Sequence, residues 1–256
     1  MKQEAPLILN ARQRQMLDLI SQQGEARIAD LREAFQVTEM TIRRDLEKLE
    51  EAGSVRRTFG GAIFVGQDVA LKERTGLSME EKARIGRKAA SMIRPGESVF
   101  LDGGTTTLQV ARFLTAGMKA TVVTNALNVA AELAAKQIPT IMTGGTLLEA
   151  THSLVGPIAV QSLSGMAFDR AFLGATGVNA EHGFSNSNLY EAEIKQLAIR
   201  QAAEAAIVLD HSKFGAKVLM SFAPLSGVSR LVTDKLPDDA LLQACKESNV
   251  QVDVAD

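Results

Sequence analysis

The stretch VTEMTIRRDLEKLEEAGSVRRTFGGA, Val37 to Ala62, decides how the N-terminal part of the chain is built. Thr38 is a good N-cap, since its hydroxyl can accept from the N–H groups that open a helix. Ile42, Leu46 and Leu49 recur at helical spacing as a stripe to be buried, and Gly53 ends the run. Two short β-like runs then flank Gly60-Gly61, the pattern of a hairpin. Upstream, NARQRQMLDLISQQG sets Met16, Leu17, Leu19 and Ile20 at near-helical spacing, with Asn10 as N-cap and Gly24 as stop. RIADLREAF between them is a short helix carrying Ile28, Leu31 and Phe35. Three helices and a hairpin predict a winged helix-turn-helix, whose last helix enters the DNA major groove.

With the apolar stripe turned inward, Thr38, Glu39, Thr41, Arg43 and Arg44 lie on or beside the exposed face. A Thr methyl can touch thymine, and an Arg can grip guanine with two hydrogen bonds. Lys48 and the hairpin arginines Arg56 and Arg57 are placed to neutralise phosphates. The competing reading makes Arg43 and Arg44 solvated charges that pair with Glu39 or Glu47 at helical spacing.

Composition limits the alternatives. The chain has 256 residues and a formal net charge of -2, so any polyanion must be met by a local basic cluster. Hydrophobic residues make up 46%, which excludes a disordered chain. Cys245 is the single cysteine, so no internal disulfide forms, as expected in a reducing compartment. No apolar run approaches the roughly 20 residues of a membrane span, and no signal-peptide core opens the chain. A soluble cytoplasmic protein is expected.

After GQDVALKERTGLSMEEK the pattern changes. Strand-like runs SVFLDGG, ATVVTN, PTIMTGG, DRAFLGATGV, AAIVLDHS, SRLVTD and VQVDVA alternate with Ala-rich helical runs. This alternation predicts an α/β domain with a mostly parallel sheet, which binds ligands outside the carboxyl ends of its strands. FLDGGTTTLQVARFL is the most informative of these ends. A strand ends at Asp102, Gly103 and Gly104 turn the chain, and a helix starts within Thr105 and Thr106. Free N–H groups and hydroxyls there suit a phosphate, although an ordinary strand-to-helix turn reads the same. The loop is neither a Walker A loop nor G-x-G-x-x-G. Thr124 and Asn125, Gly144, and Gly177 sit at further strand ends, which favours one shared pocket.

The whole of VTEMTIRRDLEKLEEAGSVRRTFGGA resembles the N-terminal domain of DeoR-family bacterial transcription regulators, departing at Phe59, where the family usually has His. The rest resembles the family's sensor domain, related in fold to ribose-5-phosphate isomerase and understood to bind phosphorylated sugars. The resemblance implies that Asp102 takes sugar hydroxyls and that Gly103 to Thr106 hold the phosphate. Lys195 matches the lysine of the family's EAExK segment, beside Glu191, and Lys213 matches that of DxSKFG. Glu191 and Lys195 are also four apart on a helix, which fits a surface salt bridge.

The expected organisation is a winged helix-turn-helix over 1–66, a linker over 67–80 and a phosphosugar-sensing domain over 81–256. The expected function is a repressor of a sugar-metabolism operon, a homodimer or homotetramer on double-stranded operator DNA, released by a sugar phosphate. No cofactor is expected, and His152, His182 and His211 have no metal-like spacing with Cys245. An activator built from the same parts, and a phosphosugar isomerase with an appended DNA-binding domain, remain open at this point.

Overall fold

A computed structural model of the chain describes residues 9–23, 25–51, 55–58, 60–64 and 78–256. The expected stops at Gly24 and Gly53, and Phe59, lie outside the described residues.

The winged part runs α1 (Ala11–Gln23), β1 (Glu25–Arg27), α2 (Ile28–Phe35), α3 (Glu39–Glu51), β2 (Val55–Arg57) and β3 (Gly61–Phe64). Asn10 caps α1 through a 2.9 Å bond from the Gln13 N–H, and the Gln13 side chain accepts the Asn10 N–H at 3.0 Å. Thr38 begins α3, its carbonyl accepting from Thr41 and Ile42. The wing is an antiparallel sheet in the order β1-β3-β2. Met16, Ile20, Leu31, Ile42, Leu46 and Leu49 fill the core beneath it. Among the described residues, two polar ones are buried with it, Gln13 and Asp45: Asp45 accepts from Arg12 Nε at 2.6 Å and Gln13 Nε2 at 2.9 Å. A buried carboxylate is tolerated only when paired and hydrogen-bonded. These bonds fasten α1 to α3.

The larger part begins with α4 (Met79–Ala90), which starts inside the stretch expected as linker. It continues β4 (Ser98–Leu101), α5 (Thr105–Phe113), β5 (Thr121–Thr124), α6 (Leu127–Ala135) and β6 (Thr140–Met142). The hairpin β7 (Thr146–Leu148) and β8 (Ser153–Val155) and α7 (Pro157–Ser164) lead to β9 (Phe168–Leu173). Then come β10 (Gly177–Asn179), β11 (Gly183–Asn186), α8 (Leu189–Gln201), β12 (Ala202–Val208) and β13 (Met220–Ala223). β14 (Arg230–Thr233), α9 (Asp239–Glu247) and β15 (Gln251–Val254) complete the chain.

Seven strands form one parallel sheet, in the order β15-β14-β12-β9-β4-β5-β6. Successive side chains alternate between its faces, as strand geometry requires. Val99, Leu101, Phe172, Ala206 and Val208 face α4, α5 and α6, whereas Phe100, Ala171, Leu173, Ala205 and Ile207 face α7, α8 and α9. Each large side chain sealed this way contributes about 1.5–3 kcal/mol. The run DRAFLGATGV, read as one strand, breaks at Gly174 into β9 and β10, and β10 joins β11 and β13 in a small antiparallel sheet.

Near the starts of five adjacent strands, charges alternate in a row: Glu97, Arg170, Glu204, Arg230 and Asp253, each ion-paired to the next. At the opposite end the strand order reverses between β4 and β9. β4, β5 and β6 run outward one way, and β9, β12, β14 and β15 the other. Such a switch point opens a crevice beyond the carboxyl ends of the strands.

Candidate functional site

The DGGTTT loop lies at that crevice. Asp102 follows β4, and its carboxylate accepts the Gly174 N–H from the end of β9 at 3.1 Å. Lys195, reaching in from α8, is ion-paired with Asp102 and donates to the Gly174 carbonyl at 3.0 Å. Both side chains are sealed from solvent. Burial pushes the Asp102 carboxyl above the usual carboxylate range, against the opposing pull of Lys195. Lys195 therefore pairs with Asp102 and not, as helical spacing allowed, with Glu191 on the surface. Glu191 is itself buried and accepts from Asn186 Nδ2 at 3.0 Å.

In front of this pair lies a cavity of about 270 Å³ lined by Gly104, Thr105 and Thr106, by Gly174 and Ala175, and by Asp210, Ser212 and Lys213. Lys82 and Ser78 close it from the start of α4, and Asp18 reaches it from α1. The first turn of α5 opens onto this space, and its leading N–H groups lack helical acceptors. Lys82 arrives because α4 and α5 pack closely. A Cβ on Gly86 would meet the Gln109 side chain at 2.4 Å, so only glycine permits the approach. One turn back along each helix, Lys82 and Thr105 face the same cavity. Lys82 is 5% exposed, and its charge acts on Asp210. Burial alone would raise the Asp210 carboxyl. Lys213, Ser212 and Lys82 together hold it below the usual range.

The remaining residues read from strand ends do not line this cavity. Gly103 packs on Ser153, whose Oγ would lie 2.2 Å from a Cβ there. Thr124 accepts the Ala126 N–H at 3.1 Å, and Asn125 Nδ2 donates to the Leu154 carbonyl at 3.2 Å. Gly144 turns the chain at φ 70, and Gly177 sits where a Cβ would collide with the Ala216 carbonyl at 2.5 Å. Asp102, Lys195 and Glu191 lie behind the loop. Ser78 fell within the stretch expected as linker, and Lys82 and Asp18 carried no sequence signal. Among the described residues, no group of three or more His, Cys, Asp or Glu is arranged to hold a metal ion. No described helix is long and apolar enough to cross a membrane.

On the winged part, Thr38, Glu39, Arg43, Arg44 and Lys48 are exposed and Thr41 is half-buried. Arg43 is held by Glu39 across one helical turn at 2.7 Å, as the competing reading expected for it. Arg57 is bound to Glu50 through its backbone N–H at 2.8 Å and its Nε at 2.6 Å, which clamps β2 onto α3. Arg56 forms part of β2, and its side chain is outside what is described. Among the described residues, Arg44 and Lys48 have no ion-pair partner. Met40, which sequence reasoning passed over, is 67% exposed beside them at the start of α3.

Residues 12–68 match the DeoR-like helix-turn-helix domain, and residues 77–235 match the DeoR C terminal sensor domain. The HTH-type transcriptional repressor GlcR of Bacillus subtilis (strain 168) is 34% identical over 93% of this chain and 93% of its own. The glycerol-3-phosphate regulon repressor of Escherichia coli (strain K12) is 31% identical over 93% of this chain and 96% of its own. Ribose 5-phosphate isomerase A of Methanocaldococcus jannaschii superposes with a TM-score of 0.40 and 15% identity over 53% of this chain and 54% of its own, a likeness too loose to carry an argument.

Proposed function

The chain belongs to the DeoR family of helix-turn-helix transcriptional regulators, and on that premise we propose that it represses a sugar-metabolism operon and is released from its operator by a phosphorylated sugar. The observation that carries the reading is the convergence of the α5 start, the buried Lys82 and Lys213 on one cavity at the switch point. Backbone N–H groups at a helix start and two ammonium groups suit a phosphate better than a neutral sugar. The names of the two repressors above agree with the direction of control.

In this reading residues 1–66 hold the DNA, with Arg44 and Met40 at base edges and Lys48 on phosphate. The sensor runs from α4, which starts at Met79, to the last strand. Thr105, Thr106, Lys82 and Lys213 take the phosphate. The sealed Asp102–Lys195 pair sets the loop's shape. Paired winged helices read paired half-sites, so the working form is a homodimer or homotetramer.

A thermal-shift screen of sugar phosphates against the matching free sugars tests the reading. The cognate phosphate raises the melting temperature by mass action and weakens operator binding. An equal shift from the free sugar would refute the phosphate site. Turnover of the same compound would favour an isomerase instead.

A further inference from the structure

The cavity is walled by both parts of the chain. Its charged lining is two lysines, Lys82 and Lys213, and two aspartates, Asp210 and Asp18. These four charges balance. Three of them stand on the sensor, and only Asp18 stands on the winged part, midway along α1. Burial raises the Asp18 carboxyl above the usual range, and the charge of Lys213 across the cavity opposes that rise.

A phosphomonoester entering this space brings a charge of about −1.5 to −2 and three strong acceptor oxygens. It is a better partner for Lys213 than a single carboxylate, and it leaves the cavity with an excess of negative charge. Asp210 cannot leave, because it caps the turn that carries Ser212 and Lys213. Asp18 can, because it belongs to a separate unit joined to the sensor through residues 65–77.

We propose that Asp18 is the residue through which an anion in this cavity acts on the DNA-binding part: phosphate takes over Lys213, expels Asp18, and moves α1 away. α1 does not move alone. Arg12 and Gln13 on the same helix hold Asp45 of α3 at 2.6 and 2.9 Å. Displacing α1 therefore carries the recognition helix with it. The proposal rests on the reading of this cavity as the effector site.

The test uses the full-length protein, orthophosphate as the probe, chloride at matched ionic strength as the control, and a duplex selected from a random pool by the wild-type protein. In the wild type, orthophosphate raises the melting temperature and weakens duplex binding by about 5–150-fold at saturation, the usual span of a coupling between sites. In Asp18→Asn, orthophosphate still raises the melting temperature, but its effect on duplex binding drops to under about twofold, because the coupling is gone. In Asp18→Lys the sign reverses: the anion now draws α1 toward the sensor and strengthens duplex binding. An Asp18→Asn protein that still releases duplex like the wild type would overturn this proposal and leave the effector reading standing. A wild type whose melting temperature ignores orthophosphate and every sugar phosphate would overturn both.

Discussion

Lys195 and Lys213 approach the same loop from opposite sides and end in opposite surroundings. Lys195 is sealed against Asp102 and the Gly174 carbonyl. Lys213 stands at an open cavity with Asp210 and Asp18. Both matched family lysines and both read as ligand groups in the sequence. The difference shows what burial does to a charge. A sealed ion pair satisfies itself and fixes backbone geometry, here the distance between the ends of β4 and β9. An open one keeps capacity for a third partner.

The largest expected effect breaks the sealed side. Lys195→Met leaves Asp102 buried without its partner, which costs about 3–5 kcal/mol of stability. Denaturant unfolding measures it. The double variant Asp102→Leu/Lys195→Met removes both charges and should recover most of the loss. If Lys195→Met unfolds at the wild-type denaturant concentration, the pair is not sealed and the comparison fails.

The open side should give the converse pattern. Lys213→Ala should cost less stability than Lys195→Met, since Lys213 is only half-buried and Asp210 keeps Ser212 and Lys82. It should weaken phosphate binding by about 1.5–3 kcal/mol, the worth of a charged hydrogen bond. Calorimetric titration with the cognate sugar phosphate reads this. Unchanged affinity would remove Lys213 from the site.

The same contrast between engaged and available cations extends to α3. Arg44→Ala should weaken binding to a selected duplex by about 1–3 kcal/mol if it reads a base. Arg43→Ala should cost less, since Glu39 already holds that side chain at 2.7 Å. Gel-shift titration of the two variants ranks them, and the reverse order would mean that DNA pulls Arg43 from Glu39.

The smallest effect is in pH dependence, where the two aspartates carry opposite signs. Asp210 is held below the ordinary carboxylate value, so its stabilisation is complete above about pH 4 and is lost as pH falls through its folded value. Asp102 is pushed above that value, so its contribution is present below about pH 4 and is lost as pH rises through its folded value. Asp210→Asn should therefore flatten the acid limb of the stability curve. Carbon-detected titration of the two carboxyl groups checks the directions, and a shift of the same sign at both would collapse the distinction.

Much of the fold was written in local pattern. Ile42, Leu46 and Leu49 marked the buried stripe of α3, and the seven apolar runs each contributed a strand to the parallel sheet. Local pattern failed where strands are short and half-open. Thr146 and Leu147 of β7 are exposed, so no alternation announced that hairpin. It failed again at Gly174, because the break after β9 is imposed by Asp102, 72 residues away. Of the cavity's lining, Thr105 and Thr106 were legible, because their place at a strand-to-helix turn is set locally. It was not legible at Lys82, whose role depends on Gly86 lying against Gln109, nor at Asp18, which belongs to another part of the chain. Asp102 and Lys195 were each read as an effector ligand, and no spacing rule shows that they face each other.

Heat tests the molecule differently from any substitution. The alternating row from Glu97 through Arg170, Glu204 and Arg230 to Asp253 crosses five strands at the edge of the sheet away from the cavity. As temperature rises, charged groups are hydrated less favourably, so the cost of holding them together falls while apolar burial gains nothing further. The row thus tightens relative to the rest of the sheet as the protein warms. On slow heating, the strand starts it ties together should be among the last parts of the molecule to come apart.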